Sequence, residues 1–106
     1  MKINFEQVLV DLDGDPIKDD TKKDSRDATL GSVARNALLA RFPDEQNLSG
    51  DEQFHRYELA SFTKGGHDWP AEDVALLKKL ISKAYGPLII GRSYELIEPK
   101  LKSATG

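Results

Sequence analysis

The chain alternates between apolar stretches and stretches that contain almost no large apolar side chain. Residues 3–10 are rich in β-branched and aromatic side chains and predict a strand. Asp13-Gly14-Asp15-Pro16 is typical of a turn, and Pro16-Ile17 could form the short return strand of a β-hairpin. Residues 18–28 contain no large apolar side chain, so burial cannot offset their ordering entropy and a mobile loop is predicted.

From Thr29 onwards the apolar residues recur with the period of an α-helix. Thr29 is the predicted N-cap of a first helix, which Pro43 ends. Ser49 and Glu52 have the spacing of a capping box, and the second helix that they predict stops at Gly65-Gly66.

The C-terminal half predicts two more helices. The third has Pro70 in its first turn and closes at Gly86-Pro87, with glycine and proline in their usual places after a helix. Residues 87–97 combine strand-forming isoleucines with near-helical spacing, and we predict a helix.

These elements predict an α+β domain that is mostly α: an N-terminal β-hairpin followed by a compact bundle of three or four short helices. The single domain spans residues 1–98, and residues 99–106 form a flexible tail. The predicted core consists of the following apolar residues: Val33, Leu38, Phe54, Tyr57, Leu76, Leu77, Leu80, Ile81, Leu88, Ile89, Ile90, Leu96 and Ile97.

Composition narrows the class of protein. The 106 residues include 39% hydrophobic and 31% charged side chains and no cysteine, which excludes disulfides and thiolate chemistry. The N-terminal sequence lacks a signal-peptide core and no apolar run is long enough for a membrane span, so a cytoplasmic protein without membrane contact is expected. Residues 1–77 carry 9 basic and 16 acidic side chains, whereas residues 78–106 carry 6 and 2.

The stretch around Asp11-Leu12-Asp13-Gly14 has the DxDG pattern with which phosphoryl-transfer enzymes of the haloacid dehalogenase superfamily begin. The pattern here covers only residues 7–14, Asp15 replaces the usual threonine, and 106 residues are too few for a doubly wound sheet. A calcium loop starting at Asp11 is not favoured either. Such a loop needs a glycine after its third acidic residue and a glutamate at its twelfth position, whereas here Gly14 precedes the third acid and the twelfth residue is Lys22. The sequence therefore predicts no enzyme, no metal site and no cofactor.

DNA binding through a helix-turn-helix over residues 73–97 is a further alternative. The would-be recognition helix, residues 87–98, is largely apolar and offers a single long donor, Arg92. Nucleic acid is therefore not favoured as a partner.

Protein contacts remain the favoured function. The predicted protein-binding residues belong to types that are enriched at binding hot spots: Trp69, Tyr85, Ile90, Arg92 and Tyr94. A protein partner or a homo-oligomer would use these side chains.

Two stretches carry a family resemblance. Residues 29–39 (TLGSVARNALL) and 75–98 (ALLKKLISKAYGPLIIGRSYELIE) resemble small proteins encoded by tailed phages and prophages, in which a DLDG-type hairpin precedes the first stretch. The resemblance covers most of residues 3–98 and implies a phage protein without an established activity. We therefore predict a non-enzymatic phage accessory protein in the host cytoplasm, such as a virion (tail) assembly chaperone. An early protein that modulates a host enzyme or defence complex, or a DNA-binding regulator, is the alternative.

Overall fold

The computed structural model describes residues 1–19 and 26–99. Short strands and four helices alternate along the described chain. In order they are β1 (Lys2–Asn4), β2 (Lys18–Asp19), β3 (Arg26–Asp27), α1 (Leu30–Leu39), α2 (Gly50–Ala60), β4 (Gly66–Asp68), α3 (Ala71–Ala84) and α4 (Pro87–Ile97). The predicted fold class, α+β and mostly α, is confirmed. All of the predicted tail except Pro99 lies outside the described residues.

The N-terminal strand pairs with a distant partner. β1 is antiparallel to β4, with Ile3 opposite His67. The predicted strand over residues 3–10 is interrupted after β1, because the Asn4 side chain accepts a hydrogen bond from the backbone N–H of Glu6 and starts a turn (3.0 Å). Alternation nevertheless continues through the turn, since Ile3, Phe5 and Leu9 are all buried.

The DLDG stretch forms the predicted turn. Val10 bridges Pro16 across it, and Gly14 has a φ of 89°, a backbone conformation that favours glycine. The Asp11 carboxylate accepts hydrogen bonds from the backbone N–H groups of Asp13 (2.9 Å) and Asp15 (3.0 Å). Asp11 therefore shapes the reversal as a side-chain acceptor.

The segment predicted as a loop over residues 18–28 begins and ends in strands. β2 pairs with β3, and an ion pair of 2.6 Å joins Lys18 to Asp27. Ala28 is buried and donates a backbone hydrogen bond to Ile17. The loop prediction was too wide because short polar strands can be held by backbone pairing without apolar side chains of their own. Residues 20–25 lie outside the described part.

The starts of α1 and α2 match the sequence better than their ends, whereas α3 and α4 end close to where the sequence predicts. Thr29 and Ser32 form a reciprocal capping box at the start of α1, and the Ser49 side chain accepts from Glu52 N–H at the start of α2. α1 ends at Leu39, before the expected stop at Pro43, and α2 ends five residues before Gly65. The capping side chains specify the starts of α1 and α2 directly.

α1 lies at the centre of the core and contacts α2, α3 and α4. The largest fully buried apolar side chains come from the N-terminal segment, α1, α3 and α4, and are Ile3, Phe5, Leu9, Leu30, Leu38, Leu77, Leu80, Ile81 and Ile97. Three predicted core residues were wrong: Phe54 and Tyr57 are well exposed and Leu88 is at the surface. α2 instead packs through Arg56, Leu59 and Ala60, which lie on the opposite side of the helix.

One buried polar side chain is a stability test. The Ser93 hydroxyl is fully buried in α4 and has no hydrogen-bond partner among the described residues. Removing such a group relieves an uncompensated desolvation cost. We therefore expect Ser93→Ala to raise the free energy of unfolding by about 1 kcal/mol in urea denaturation. A loss of stability would show that the hydroxyl is hydrogen-bonded in solution.

Candidate protein-binding surface

The five residues predicted to bind a partner do not form one patch. Trp69 is only 3% exposed and packs on Phe5, with ring centroids 5.2 Å apart. Its backbone N–H donates to Met1 O, which fixes it beside the N-terminal strand. Trp69 was therefore assigned wrongly as a surface contact. Trp69 precedes α3 in a connection, and only the tertiary structure shows that this connection crosses the core.

Two of the predicted residues, both tyrosines, have structural partners. The Tyr94 hydroxyl donates to the Lys78 backbone carbonyl (2.9 Å), and the Lys78 ammonium lies 5.0 Å from the centre of the Tyr94 ring. The Tyr85 hydroxyl accepts from the Asn36 side chain at 3.3 Å. Ile90 is partly buried against the core. Partner binding by these three residues stays a prediction.

Arg92 connects α4 to the DLDG turn. Its guanidinium donates to the backbone carbonyls of Val10 (3.1 Å) and Asp11 (3.0 Å), and it also contacts Glu95 (3.2 Å). All three guanidinium nitrogens therefore have acceptors. Arg92 holds the turn in place, and its role in partner binding stays a prediction.

The structure exposes two other aromatic residues on the outer side of α2, Phe54 and Tyr57, which we call the aromatic face. A third exposed ring, Phe62, follows α2 and lies against His67 instead. Phe54 is 59% exposed, Tyr57 61% and Phe62 50%. Phe54 and Tyr57 stack on the outer side of α2 with ring centroids 5.9 Å apart, and Phe62 lies edge-on to His67 at 5.4 Å.

Sequence reasoning missed the aromatic face because it assigned Phe54 and Tyr57 to the core. The sequence signal that could have revealed it is a second set of apolar residues on α2, Leu59 and Ala60, which offers an alternative packing side. Leu59 and Ala60 share one side of the helix with Arg56, about 140° from the aromatic residues. An arginine on a packing face is an unusual choice, and here it is satisfied by Glu45 through two hydrogen bonds of 2.8 and 2.7 Å.

The surroundings of the aromatic face are acidic. Asp51 and Glu58 flank Phe54 at helical neighbour positions, and their carboxylates have no ion-pair partner within the described residues. His55 contacts Asp73 at 2.8 Å and so joins α2 to the start of α3. The face therefore combines exposed rings with unneutralised negative charge.

A second apolar surface lies beside the DLDG turn. Leu12 is 84% exposed and, with Pro87, Leu88 and Gly91, lines a shallow depression of about 380 Å³ on α4. It holds no aromatic side chain. It is therefore a weaker candidate for a binding hot spot than the aromatic face.

Comparison with protein-family models, curated proteins and solved structures finds no match to the chain. Among residues 1–19 and 26–99 no three histidine or acidic side chains are grouped as a metal site would need. No described helix is long and apolar enough to cross a bilayer.

Proposed function

We propose that the chain is a non-enzymatic protein-binding domain whose contact surface is the aromatic face. The observation that carries the proposal is the exposed stack of Phe54 and Tyr57, on a helix whose opposite side already packs on the core. Large aromatic side chains supply much of the binding energy at protein interfaces. A partner that covers Phe54 and Tyr57 would account for two large rings that the folded chain leaves more than half exposed.

The acidic surroundings indicate the chemistry of the partner. Asp51 and Glu58 beside the rings favour a segment in which Lys or Arg side chains flank apolar ones, such as a basic amphipathic helix. Arginine could stack on the rings and pair with the carboxylates at the same time.

The resemblance to phage proteins suggests the biological setting in which the chain would bind its partner. We propose an accessory protein of tailed phages or prophages that contacts a phage structural protein during assembly, as a tail assembly chaperone does. A host enzyme or defence complex as the partner is the alternative. The position of the gene, beside structural genes or within an early operon, separates the two.

The aromatic face can be tested with a double variant. Phe54→Ala with Tyr57→Ala is expected to weaken partner binding at least about tenfold, because hot-spot truncations cost 2 kcal/mol or more. Tagged wild-type and variant proteins would be compared by capture from infected cells, followed by titration of the identified partner. Sedimentation of the purified chain tests whether the partner is a second copy.

Leu39→Ala is the matched control, because Leu39 is a 54% exposed apolar side chain outside both the aromatic face and the depression beside the DLDG turn. The control should bind normally, and the double variant should keep its helical circular dichroism signal and unfolding midpoint. Unchanged binding by the double variant at normal stability would contradict the proposal.

A further inference from the structure

We propose that a second, separate site binds a single oxyanion, either phosphate or carboxylate. The site is a pocket of about 360 Å³ between the start of α1, β3, the turn at residues 5–6 and the turn after α2. Among its lining residues are Phe5, Glu6, Thr29, Arg35, Thr63 and Lys64. We call it the Arg35 pocket.

A single hydrogen bond, from Nε of its guanidinium, positions the Arg35 side chain. Its Nε donates to the Thr63 hydroxyl oxygen at 3.2 Å. Thr63 is 2% exposed, and its hydroxyl in turn donates to the backbone carbonyl of Ala60 at 2.8 Å. The two terminal nitrogens of this half-buried guanidinium have no hydrogen-bond or ion-pair partner among the described residues. Neither nitrogen is among the buried unpartnered polar atoms of the described residues, so both are open to solvent and an oxyanion can reach them.

Two acidic residues also line the pocket, Glu6 and Asp27, and each has a partner of its own. The Glu6 carboxylate accepts from the backbone N–H of Gly65 at 2.8 Å, and Asp27 pairs with Lys18 outside the pocket. Lys64, at the rim, has no ion-pair partner within the described part of the chain. Of the three cations that line the pocket, Arg26, Arg35 and Lys64, the last two have no ion-pair partner among the described residues. The Glu6 carboxylate lines the same pocket and lowers its net positive charge.

Side chains rather than the helix end provide the donors. The first backbone N–H groups of α1 are already occupied, Leu30 by Gln7 O, Gly31 by Phe5 O and Ser32 by the Thr29 hydroxyl. An arginine presents two parallel N–H groups that match two oxygens of a phosphate or carboxylate. The positive end of the α1 dipole adds to the attraction.

The experiment is a titration of the full chain followed by two-dimensional NMR, at constant ionic strength. Inorganic phosphate is the probe in one arm and acetate in the other, with chloride as the background. We expect saturable shifts at the amides of Gly31, Arg35 and Lys64. Saturation by phosphate alone supports a phosphate ester as the natural ligand, and equal saturation by acetate supports a carboxylate.

Variants distinguish anion binding in this pocket from non-specific attraction of anions to surface cations. Arg35→Gln should weaken binding about tenfold, because a charge-assisted hydrogen bond is lost. The affinity of Arg35→Lys should fall between those of the wild type and Arg35→Gln, since lysine keeps the charge and loses the two parallel N–H donors. Lys64→Gln provides an independent test if Arg35 variants fold poorly. Arg41→Gln, at an exposed arginine outside the pocket, is the control. Shifts spread over the whole surface, or equal weakening by Arg41→Gln, would overturn the proposal.

Discussion

Replacing Gly31 with alanine is expected to lower the free energy of unfolding by about 3 kcal/mol, the upper range for overpacking a core. Gly31 is the second residue of α1, where alanine is normally the better helix former. A Cβ at this position would clash with the backbone oxygen of Thr63 and would lie 3.0 Å from that of Phe5. Neither oxygen can move as a flexible side chain does, so α1 would have to separate from both segments.

Gly91→Ala is the matched control for this prediction. Gly91 also lies in a helix, α4, but a Cβ there would meet no atom within 4 Å. Alanine at Gly91 should therefore stabilise the protein by about 0.5–1 kcal/mol through helix propensity alone. Urea denaturation followed by circular dichroism measures both variants. If Gly31→Ala also stabilised the protein, α1 would not approach Thr63 and Phe5 as closely as described.

The second large effect is expected at Arg56. Replacing it with methionine should cost about 3 kcal/mol, because the change leaves Glu45 largely buried without its main partner. Arg56 makes two hydrogen bonds to Glu45, and both side chains are mostly shielded from water. Lys83 contacts the same carboxylate at 3.3 Å and cannot replace a bidentate pair. The exposed pair of Lys18 and Asp27 is the control: Lys18→Met should change stability by less than about 0.5 kcal/mol.

The ion-pair cluster of Glu45, Arg56 and Lys83 makes the stability of the protein depend on pH in the acid range. Hydrogen bonds from Arg56 and from Lys83 lower the pKa of Glu45 to about 2, against an ordinary value of 4.5, although desolvation opposes them. Because the folded-state pKa is the lower one, the stabilisation is fully present above pH 4.5 and is lost as the pH falls towards 2. Glu45→Gln should flatten this part of the stability profile. A residual slope is expected, since ion pairing also lowers the pKa of Asp44 and of Asp68.

Unchanged acid sensitivity in Glu45→Gln would show that other carboxylates are responsible for it. Measuring urea denaturation between pH 7 and pH 2.5 for the wild type and for Glu45→Gln distinguishes these outcomes. Together with Arg56→Met, the profile also tests how the chain connecting α1 to α2 is held. In the structure this connection is attached through Glu45 to α2 and through Asp44 and Glu45 to α3.

The candidate site was less predictable than the fold. The apolar residues of α2 allow two packing faces, one with Phe54 and Tyr57 and one with Leu59 and Ala60. Hydrophobicity alone favours the aromatic side, because burying large rings removes more apolar surface from water. The structure uses the other side, since Glu45 reaches Arg56 from the preceding connection and satisfies its charge.

The Arg35 pocket was not predictable at all from local sequence. Arg35 and Thr63 are 28 residues apart, and the approach of α1 to the turn after α2 depends on Gly31 having no side chain. A lone arginine on a helix carries no sign of which polar groups it will meet. Only tertiary packing brings Arg35 into the same pocket as Lys64.

Local chemistry determined the helix starts and the DLDG turn of this protein. Thr29, Ser49 and Gly14 act on backbone groups within a few residues of themselves, so the sequence alone was sufficient to place them. The tertiary structure decided which strand pairs with β1, where Trp69 lies and which side of α2 faces water. These outcomes depend on contacts between residues distant in the chain, and similar apolar patterns are compatible with several such arrangements until the whole core packs.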